Sequence, residues 1–258
     1  MRILACDTSN SACSACLYED GRILAQSFLS LGLTHSHTFM PMVHDLMKLS
    51  GFSYKDLDAF ACTVGPGSFT GIRIGVSAVK VMAMASDKAA IPVSSLEALA
   101  YPLFGHQDTL VLAAFDARNR RVFSSAYFGG QQVINEDART ADELLRICSD
   151  WLRVNHPESK ILVCGNAWDS FAATEDQSLL ANVSPEYSYR EIAPASVAAL
   201  AYAHAVSNKE VSAAQLYPPQ ALMPVYRART SAERMFSDAA VEKSPEQTAE
   251  DTKDGKHD

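Results

Sequence analysis

The chain has 258 residues, of which 48% are hydrophobic and 20% charged, and its formal net charge is −8. This length and composition are typical of one large globular domain or of two smaller lobes. A domain that binds nucleic acid by itself is usually basic, because contacts to phosphates supply most of the affinity. The acidic balance therefore argues that any RNA is held by another subunit.

The apolar stretches of the chain are short. None approaches the roughly 20 residues that a membrane-spanning helix needs. Near the N-terminus, Asp7 interrupts the apolar run that begins at Ile3, so a signal peptide is not indicated. We therefore expect a cytoplasmic protein with no membrane segment, whose six cysteines stay reduced and pack as small hydrophobes.

The first half of the chain alternates strand and helix patterns. Residues 3–24 predict a meander of three strands joined by a polar turn and a tight turn. Helical periodicity then marks residues 37–49, 68–85 and 96–102, and strands are predicted at residues 59–64 and 91–93. The resulting order β-β-β-α-β-α-β-α is that of an α/β lobe.

A second copy of the meander begins at Leu110. The alignment pairs the aspartate, tyrosine and glycine of the two copies: Asp7 with Asp116, Tyr18 with Tyr127, and Gly21 with Gly130. Helices at residues 141–154 and 195–207 and a strand at residues 160–164 follow, whereas residues 182–193 fit either a strand or a loop. This internal duplication predicts two similar α/β lobes that face each other.

These elements divide the chain into three parts. We assign residues 1–104 to an N-terminal lobe and residues 105–230 to a C-terminal lobe. Residues 231–258 lose apolar periodicity and fill with acidic residues, Lys, Ser, Thr and Pro. Such a composition cannot bury enough apolar surface to offset the entropy of ordering, so this segment is predicted to be a disordered acidic tail.

A glycine-rich turn, Gly65-Pro-Gly-Ser68, joins the strand at residues 59–64 to the following helix. Ser68 is placed to cap that helix. The free N–H groups of such a turn suit a phosphate or a carboxylate, although the turn can equally be a purely structural one. The candidate contacts for an anion or nucleotide are this turn and the ends of the first strand of each lobe: Asp7, Thr8, Gly67, Ser68, Asp116 and Arg118.

The turn and the start of its helix resemble the signature of the TsaB family. The resemblance covers the run Gly65-Pro-Gly-Ser-Phe-Thr-Gly-Ile-Arg-Ile-Gly75. Four further segments match in order and spacing: Leu4 to Ser9, His35-Ser-His37, Asp116-Ala-Arg118 and Pro224-Val-Tyr226. The chain departs from the family where Arg227 and Ala228 follow this last segment, which leaves the role of residues 224–229 open.

This resemblance implies the ASKHA fold of actin, sugar kinases and Hsp70, with two duplicated lobes. It also implies a non-catalytic subunit that is required for N6-threonylcarbamoyladenosine in tRNA. The subunit would pair with and activate the transferase TsaD and would recruit the ATPase TsaE. Further expectations are ATP or ADP at the TsaE interface, tRNA contact only through the complex, and a homodimer of the isolated chain.

A stand-alone ASKHA kinase or ATPase is the main alternative. Asp7 and Asp116 stand where such phosphotransferases keep their phosphate loops. The second loop usually reads Asp-x-Gly, whose glycine lets the main chain approach a phosphate, but here Arg118 replaces it. Arg118 could hold an anion, yet a structural salt bridge with Asp7 or Asp116 is the favoured interpretation. We therefore predict no catalytic residue.

A zinc peptidase is a more distant hypothesis. Two helical histidines share a metal when they are four residues apart. His37 and His44 are separated by roughly 10 Å along a helix, and His35 and His37 do not face each other. Cys13 and Cys16 lie in a predicted strand, where residues three apart point to opposite faces. We therefore predict no metal ligands.

The helices at residues 37–49 and 68–85 carry more apolar surface than one lobe needs. In the first, apolar side chains cover about 180° of the circumference, against the roughly 100° stripe of a core-facing helix. In the second, a stripe of mostly small residues would admit another helix. The predicted TsaD interface is Phe39, Met40, Val43, Leu46, Met47, Gly71, Gly75, Ala78 and Met82. Met40 and Met47 are expected to face outward, unless the lobe itself covers these helices.

Overall fold

The computed structural model describes residues 1–32, 34–207 and 211–227. Residues Met1–Arg227 form one compact unit. The predicted acidic tail at residues 231–258 lies outside the described residues, and the boundary between the two lobes stays a prediction.

The first half of the chain builds a five-stranded sheet. Its strands are β1 (Arg2–Asp7), β2 (Cys13–Glu19), β3 (Arg22–Leu29), β4 (Ala59–Thr63) and β5 (Ala89–Val93). Its helices are α1 (His35–Ser50), α2 (Phe69–Ser86) and α3 (Ser95–Ala100). The strand order is β3-β2-β1-β4-β5, in which β1 pairs antiparallel with β2 and parallel with β4.

The second half repeats this sheet. Its strands are β6 (Thr109–Asp116), β7 (Arg121–Phe128), β8 (Gln131–Thr140), β9 (Lys160–Cys164) and β10 (Val183–Pro185). Its helices are α4 (Ala141–Asn155), α5 (Trp168–Ala172), α6 (Pro194–Ser207) and α7 (Ala213–Leu216). The order β8-β7-β6-β9-β10 matches the first sheet strand for strand, which confirms the duplicated α/β architecture.

Short 3₁₀ turns complete the described chain: Tyr54–Asp56, Tyr101–Leu103, Gln177–Leu180, Tyr187–Tyr189 and Pro219–Ala221. The segment at residues 182–193, for which the sequence left two interpretations open, contains both the short strand β10 and one of these turns. The predicted helix at residues 96–102 is α3 followed by another such turn.

Three apolar clusters hold the layers together. A central cluster joins both sheets to α3 and α6, an outer cluster lies between the first sheet and α1 and α2, and a second outer cluster involves α4 and α5. Strand β1 contributes side chains to two of these clusters, one on each face of the sheet. Ile3 and Ala5 enter the central cluster, whereas Leu4 and Cys6 enter the outer one, because successive strand residues point to opposite faces.

Helix α2 is both long and apolar. By length and composition alone it could cross a membrane, a test that core helices of globular proteins also pass. In this structure one side of α2 packs on the first sheet through Ile72, Val76 and Val79, all of which are buried.

Candidate functional site

Strand β1 ends at Asp7, whose carboxylate is buried with 1% of its surface exposed. Its Oδ1 accepts hydrogen bonds from the Ser9 N–H at 3.0 Å, the Ser9 hydroxyl at 2.6 Å and the Thr63 hydroxyl at 2.6 Å. Burial raises the pKa of Asp7, and the bonds from Ser9 and Thr63 act in the opposite direction. The carboxylate therefore ties the ends of β1 and β4 together.

The loop after β1 is locked against the glycine-rich turn. The Ser68 N–H donates to the Ser9 carbonyl at 2.7 Å, and the Thr8 hydroxyl donates to the Gly71 carbonyl at 2.7 Å. A Cβ at Gly71 would lie 2.1 Å from the Thr8 carbonyl oxygen, and one at Gly75 would lie 2.3 Å from Thr8 Oγ1. These two glycines of the small-residue stripe therefore admit Thr8 of the same chain.

The main-chain N–H groups at the N-terminus of α2 are hydrogen-bonded to acceptors of the same chain. The Ser68 hydroxyl accepts from the Gly71 N–H at 3.2 Å, which confirms the predicted cap. The Ile72 N–H donates to the Ser68 carbonyl, and the Ser68 N–H is taken by Ser9. Several N–H groups that would otherwise hold a phosphate at this turn are thus already bonded within the lobe.

The corresponding strand of the second sheet ends differently. Ile3 lies opposite Tyr18, and Val111 lies opposite Tyr127. Ile3 and Ala5 enter the central cluster, as do Val111 and Ala113. With Tyr18 and Tyr127 kept equivalent, Val111 therefore corresponds to Ile3, and Phe115, four residues on, corresponds to Asp7. The sequence alignment of Asp7 with Asp116 is wrong by one residue, which places the two carboxylates on opposite faces of their sheets. Phe115 is 2% exposed and belongs to the central cluster.

Asp116 and Arg118 lie at an exposed turn between β6 and β7. The Arg118 main-chain N–H donates to the Asp116 carboxylate at 2.8 Å. Among the residues described, no ion pair joins Arg118 to Asp7 or to Asp116, so the expected salt bridge is wrong. Arg118, Asn119 and Arg120 have φ values of 62°, 53° and 59°. Three successive residues in this left-handed region shape the turn between β6 and β7.

Polar contacts that the sequence did not indicate connect the two halves beside Asp7. The Asn166 amide donates to Asn10 Oδ1 at 3.1 Å, and the Ser11 hydroxyl donates to Glu191 at 2.5 Å. Burial raises the pKa of Glu191, and the bond from Ser11 opposes this shift. One sequence feature could have indicated the contact between Asn166 and Asn10. Each asparagine lies in a polar stretch directly after a buried strand, β9 or β1.

The segment whose role the sequence left open returns to the first sheet. The Val225 N–H donates to the Val64 carbonyl at 2.7 Å, and Arg73 Nε donates to the Tyr226 hydroxyl at 3.0 Å. Arg227 then reaches Glu136 on β8 at 3.4 Å. This segment therefore braces the glycine-rich turn from outside; Ala228 and Arg229 lie outside the described residues.

A cleft of about 520 Å³ lies next to Arg227, between α3 and β8. The polar side chains that line it include Ser94, Glu97, Tyr127, Gln132 and Glu136. Burial raises the pKa of Glu97, and His204 opposes this shift. Local sequence patterns did not indicate this cleft, because its walls come from both halves of the chain.

Most of the predicted interface residues pack inside the first lobe. Phe39, Val43, Leu46, Met47 and Met82 are buried in the outer cluster. Met47 is only 4% exposed, so the expectation that it faces outward is wrong, whereas Met40 is 41% exposed. The cause is local: α1 lies against both the sheet and α2, which together cover its wide apolar arc. Gly71 and Gly75 are buried against Thr8, and Ala78 is half-buried.

The cysteines and histidines of the described residues form no candidate metal site. In the described part of the chain, no three His, Cys, Asp or Glu side chains come together as metal ligands. Cys13 lies in the outer cluster and Cys16 in the central one, which confirms that they point to opposite faces. All six cysteines are buried, and burial raises the pKa of Cys16 to about 12.

Comparison with known sequences gives a consistent picture. The model of the family described as TsaD, tRNA N6-adenosine threonylcarbamoyltransferase, matches residues 30–243. The tRNA threonylcarbamoyladenosine biosynthesis protein TsaB of Escherichia coli is 41% identical over 128 residues, which are 49% of this chain and 55% of that protein. TsaB of Bacillus subtilis is 34% identical over 154 residues, covering 60% and 66% respectively. The alignment thus spans little more than half of the Escherichia coli protein.

Comparison with solved structures covers more of the chain. YeaZ from Pseudomonas aeruginosa superposes with a TM-score of 0.66 and 28% identity, over 87% of this chain and 99% of that one. A second Pseudomonas aeruginosa structure, described as similar to peptidase YEAZ, gives a TM-score of 0.68 at 27% identity, over 88% and 99%. With the duplicated sheets, this likeness confirms the expected α/β fold of the ASKHA type.

Proposed function

Because this chain belongs to the TsaB (YeaZ) branch of the threonylcarbamoyltransferase family, we propose that it is a non-catalytic subunit in the synthesis of N6-threonylcarbamoyladenosine in tRNA. In this role it pairs with and activates the transferase TsaD and recruits the ATPase TsaE. ATP or ADP binds at the interface with TsaE. This modification of tRNA takes place in the cytoplasm.

One observation carries the non-catalytic part of this proposal: the loop after β1 and the glycine-rich turn are closed onto each other. A phosphotransferase needs main-chain donors and space at this point. Here Ser9 takes the Ser68 N–H, and Thr8 fills the space above Gly71 and Gly75. On the second sheet, Phe115 occupies the position equivalent to Asp7. These features favour a supporting subunit over a stand-alone kinase.

The charge of the chain supports contact with tRNA only through the complex. A net charge of −8 opposes binding to a polyanion, since affinity for nucleic acid depends on neutralising phosphates. A basic partner subunit would then supply most of the contacts to RNA.

The partner surface is formed by the outward sides of α1 and α2. Although their inner faces are buried, these adjacent helices still expose large apolar side chains, among them Met40, Leu49, Val81 and Met84. Exposed apolar groups on neighbouring helices are typical of a protein interface, and methionines suit an adaptable one. We assign the TsaD contact to these residues rather than to Met47.

The variant Val81→Glu, Met84→Glu tests this surface. Burying an unpaired charge in an interface typically costs several kcal/mol, so we expect binding to TsaD to weaken by at least about tenfold. Calorimetric titration against TsaD from the same organism measures it. The matched control is Val154→Glu on α4, which replaces another exposed valine and should bind as the wild type does.

Circular dichroism of each variant separates loss of binding from loss of folding. Wild-type affinity in the folded double variant would place the interface elsewhere. The function itself is tested by reconstitution. A TsaD and TsaE mixture that modifies tRNA equally well with and without this chain would contradict the proposed role.

A further inference from the structure

The cleft between α3 and β8 has a carboxylate in each of its two walls. Its volume of about 520 Å³ lies within the range of roughly 300 to 1,000 Å³ that small-molecule sites occupy. Helix α3 contributes Glu97 to the lining, and β8 contributes Glu136. Charges of one sign that face a cleft raise the local concentration of oppositely charged molecules. The cleft therefore favours a positively charged occupant.

Glu97 provides an acceptor that the described chain leaves open. Its side chain is half-buried, and its main-chain N–H is bonded to the Ser94 hydroxyl at 3.2 Å. Among the described residues, neither an ion pair nor a hydrogen bond reaches its carboxylate, and His204 acts on it only from beyond ion-pair distance. Because burying a carboxylate without a donor is costly, an N–H group of a ligand would stabilise Glu97.

Tyr127 and Gln132 add two further acceptor oxygens. Tyr127 is only 3% exposed and lines the cleft. The neighbouring Ser125 hydroxyl donates its proton to the Ile134 carbonyl at 2.9 Å, so the phenol oxygen of Tyr127 receives no donor from it. Gln132 donates from its amide nitrogen to the Ser125 hydroxyl at 2.9 Å, which leaves its carbonyl oxygen as an acceptor. Both oxygens suit a ligand that carries N–H groups.

Arg227 shows which kind of group the cleft already holds. Its guanidinium reaches one oxygen of Glu136 at 3.4 Å, and the Ser94 hydroxyl donates to the other oxygen. The Glu136 side chain is 11% exposed, whereas that of Arg227 is 43% exposed. Arg227 therefore lies at the mouth of the cleft and neutralises one of the two carboxylates. The charge of Glu97 stays without a bonded partner among the described residues.

We propose that this cleft binds a small organic cation, whose ammonium or guanidinium group donates to Glu97, Tyr127 and Gln132. Arg227 competes with this ligand as an internal guanidinium held on Glu136. Since the open groups are acceptors, a cation with several N–H donors matches them better than a quaternary ammonium ion, which has none.

The occupant is a small molecule rather than a side chain of the proposed partner. The cleft is large enough to enclose one, and it is walled by α3 and β8, whereas the surface assigned to TsaD lies on α1 and α2. The inference rests on the cleft alone and is independent of the proposed role in tRNA modification.

Calorimetric titration of the full chain with butylguanidine tests the site. We expect a Kd of about 0.1 to 1 mM, as befits a ligand of this size. Tetramethylammonium also carries one positive charge but has no N–H group, so it should bind at least about tenfold more weakly. Absence of binding by butylguanidine would overturn the proposal. So would equal binding of the two cations, because it would reflect attraction by the acidic chain as a whole.

Substitutions of the charged lining residues locate the bound cation. Glu97→Gln removes the open carboxylate and should weaken binding about tenfold or more, whereas Arg227→Gln removes the internal competitor and should strengthen it about threefold or more. The matched control is Glu143→Gln at an exposed position on α4, which removes the same charge as Glu97→Gln and should bind as the wild type does. Wild-type affinity in Glu97→Gln, or weaker binding in Arg227→Gln, would overturn the proposed arrangement.

Tyr127→Phe keeps the site testable if Glu97→Gln does not fold. It retains the buried ring and removes only the phenol oxygen, so binding should weaken about threefold or more. Circular dichroism of each variant serves as the folding control. A folded Tyr127→Phe that binds as the wild type does would contradict the assigned position of the cation.

Titration of TsaD into the chain with and without saturating butylguanidine distinguishes the two possible sources of the cation. The affinity for TsaD should be the same in both titrations. Displacement of TsaD would show that the cleft receives a basic side chain of TsaD, and the small-molecule occupant would then be wrong.

Discussion

Strands β1 and β6 hold the same position in their two sheets, but the loops that follow them differ. After β1, the buried Asp7 is bonded to Ser9 and Thr63 and the loop is locked to a glycine-rich turn. After β6, Phe115 enters the apolar core and Asp116 remains exposed at a turn. The duplication thus preserved the strand order while only the first half kept a closed polar cluster at its strand ends.

The contrast shows that a repeated topology does not carry a repeated site. Strand order depends on which segments are apolar, a property that many sequences share. A buried carboxylate needs several donors aimed at it, since burial of an unpaired charge is costly. The second half has an apolar side chain at that point and needs no such donors.

The largest effect on the free energy of unfolding is expected at Phe115. Phe115→Ala removes a buried aromatic side chain from the central cluster and should lower the free energy of unfolding by about 3 to 5 kcal/mol. Asp116→Ala, at the neighbouring exposed position, should change it by less than about 0.5 kcal/mol. Urea denaturation measures both. Equal effects would contradict the placement of Phe115 in the core and of Asp116 at an exposed turn.

The locked loop of the first half predicts the next effect. Gly71→Ala places a methyl group 2.1 Å from the Thr8 carbonyl oxygen, so the loop or α2 must shift, at a cost of about 3 kcal/mol. Gly105→Ala is the control, because its Cβ would meet nothing within 4 Å. If the two variants have the same urea midpoint, the loop is not locked against the helix.

The smallest effect is the pH dependence that Asp7 confers. Burial raises its pKa in the folded protein, so the folded state keeps this proton to a higher pH than the unfolded chain does. The stability contributed by the group is therefore fully present at low pH and is lost as pH rises through the folded pKa. Asp7→Asn removes this titration while keeping an oxygen for the three donors.

Wild type should accordingly lose stability relative to Asp7→Asn as pH rises from below the unfolded pKa of about 3.9. Chemical denaturation of both proteins at a series of pH values measures the trend. A difference that stays constant with pH would mean that the Asp7 carboxyl has the same pKa in both states.

The sequence by itself determined most of the elements. Apolar periodicity predicted the long helices and most strands, and a serine after Gly-Pro-Gly predicted the cap of α2. The second copy of the meander predicted the duplicated sheets. These features depend on near neighbours in the chain, so local patterns are enough to reveal them.

Only the tertiary structure decided which helix surfaces are exposed and which residues of the two sheets are equivalent. A helical wheel measures how wide the apolar arc of α1 is, but it cannot say that the sheet and α2 together cover Met47. Glycines at positions 71 and 75 indicate that another group packs closely against α2. Only the structure shows that this group is Thr8. The equivalence of Asp7 and Phe115 depends on pairing across strands, and a shift of one residue exchanges the two faces. Each of these was decided by contacts between segments distant in sequence, which no local pattern encodes.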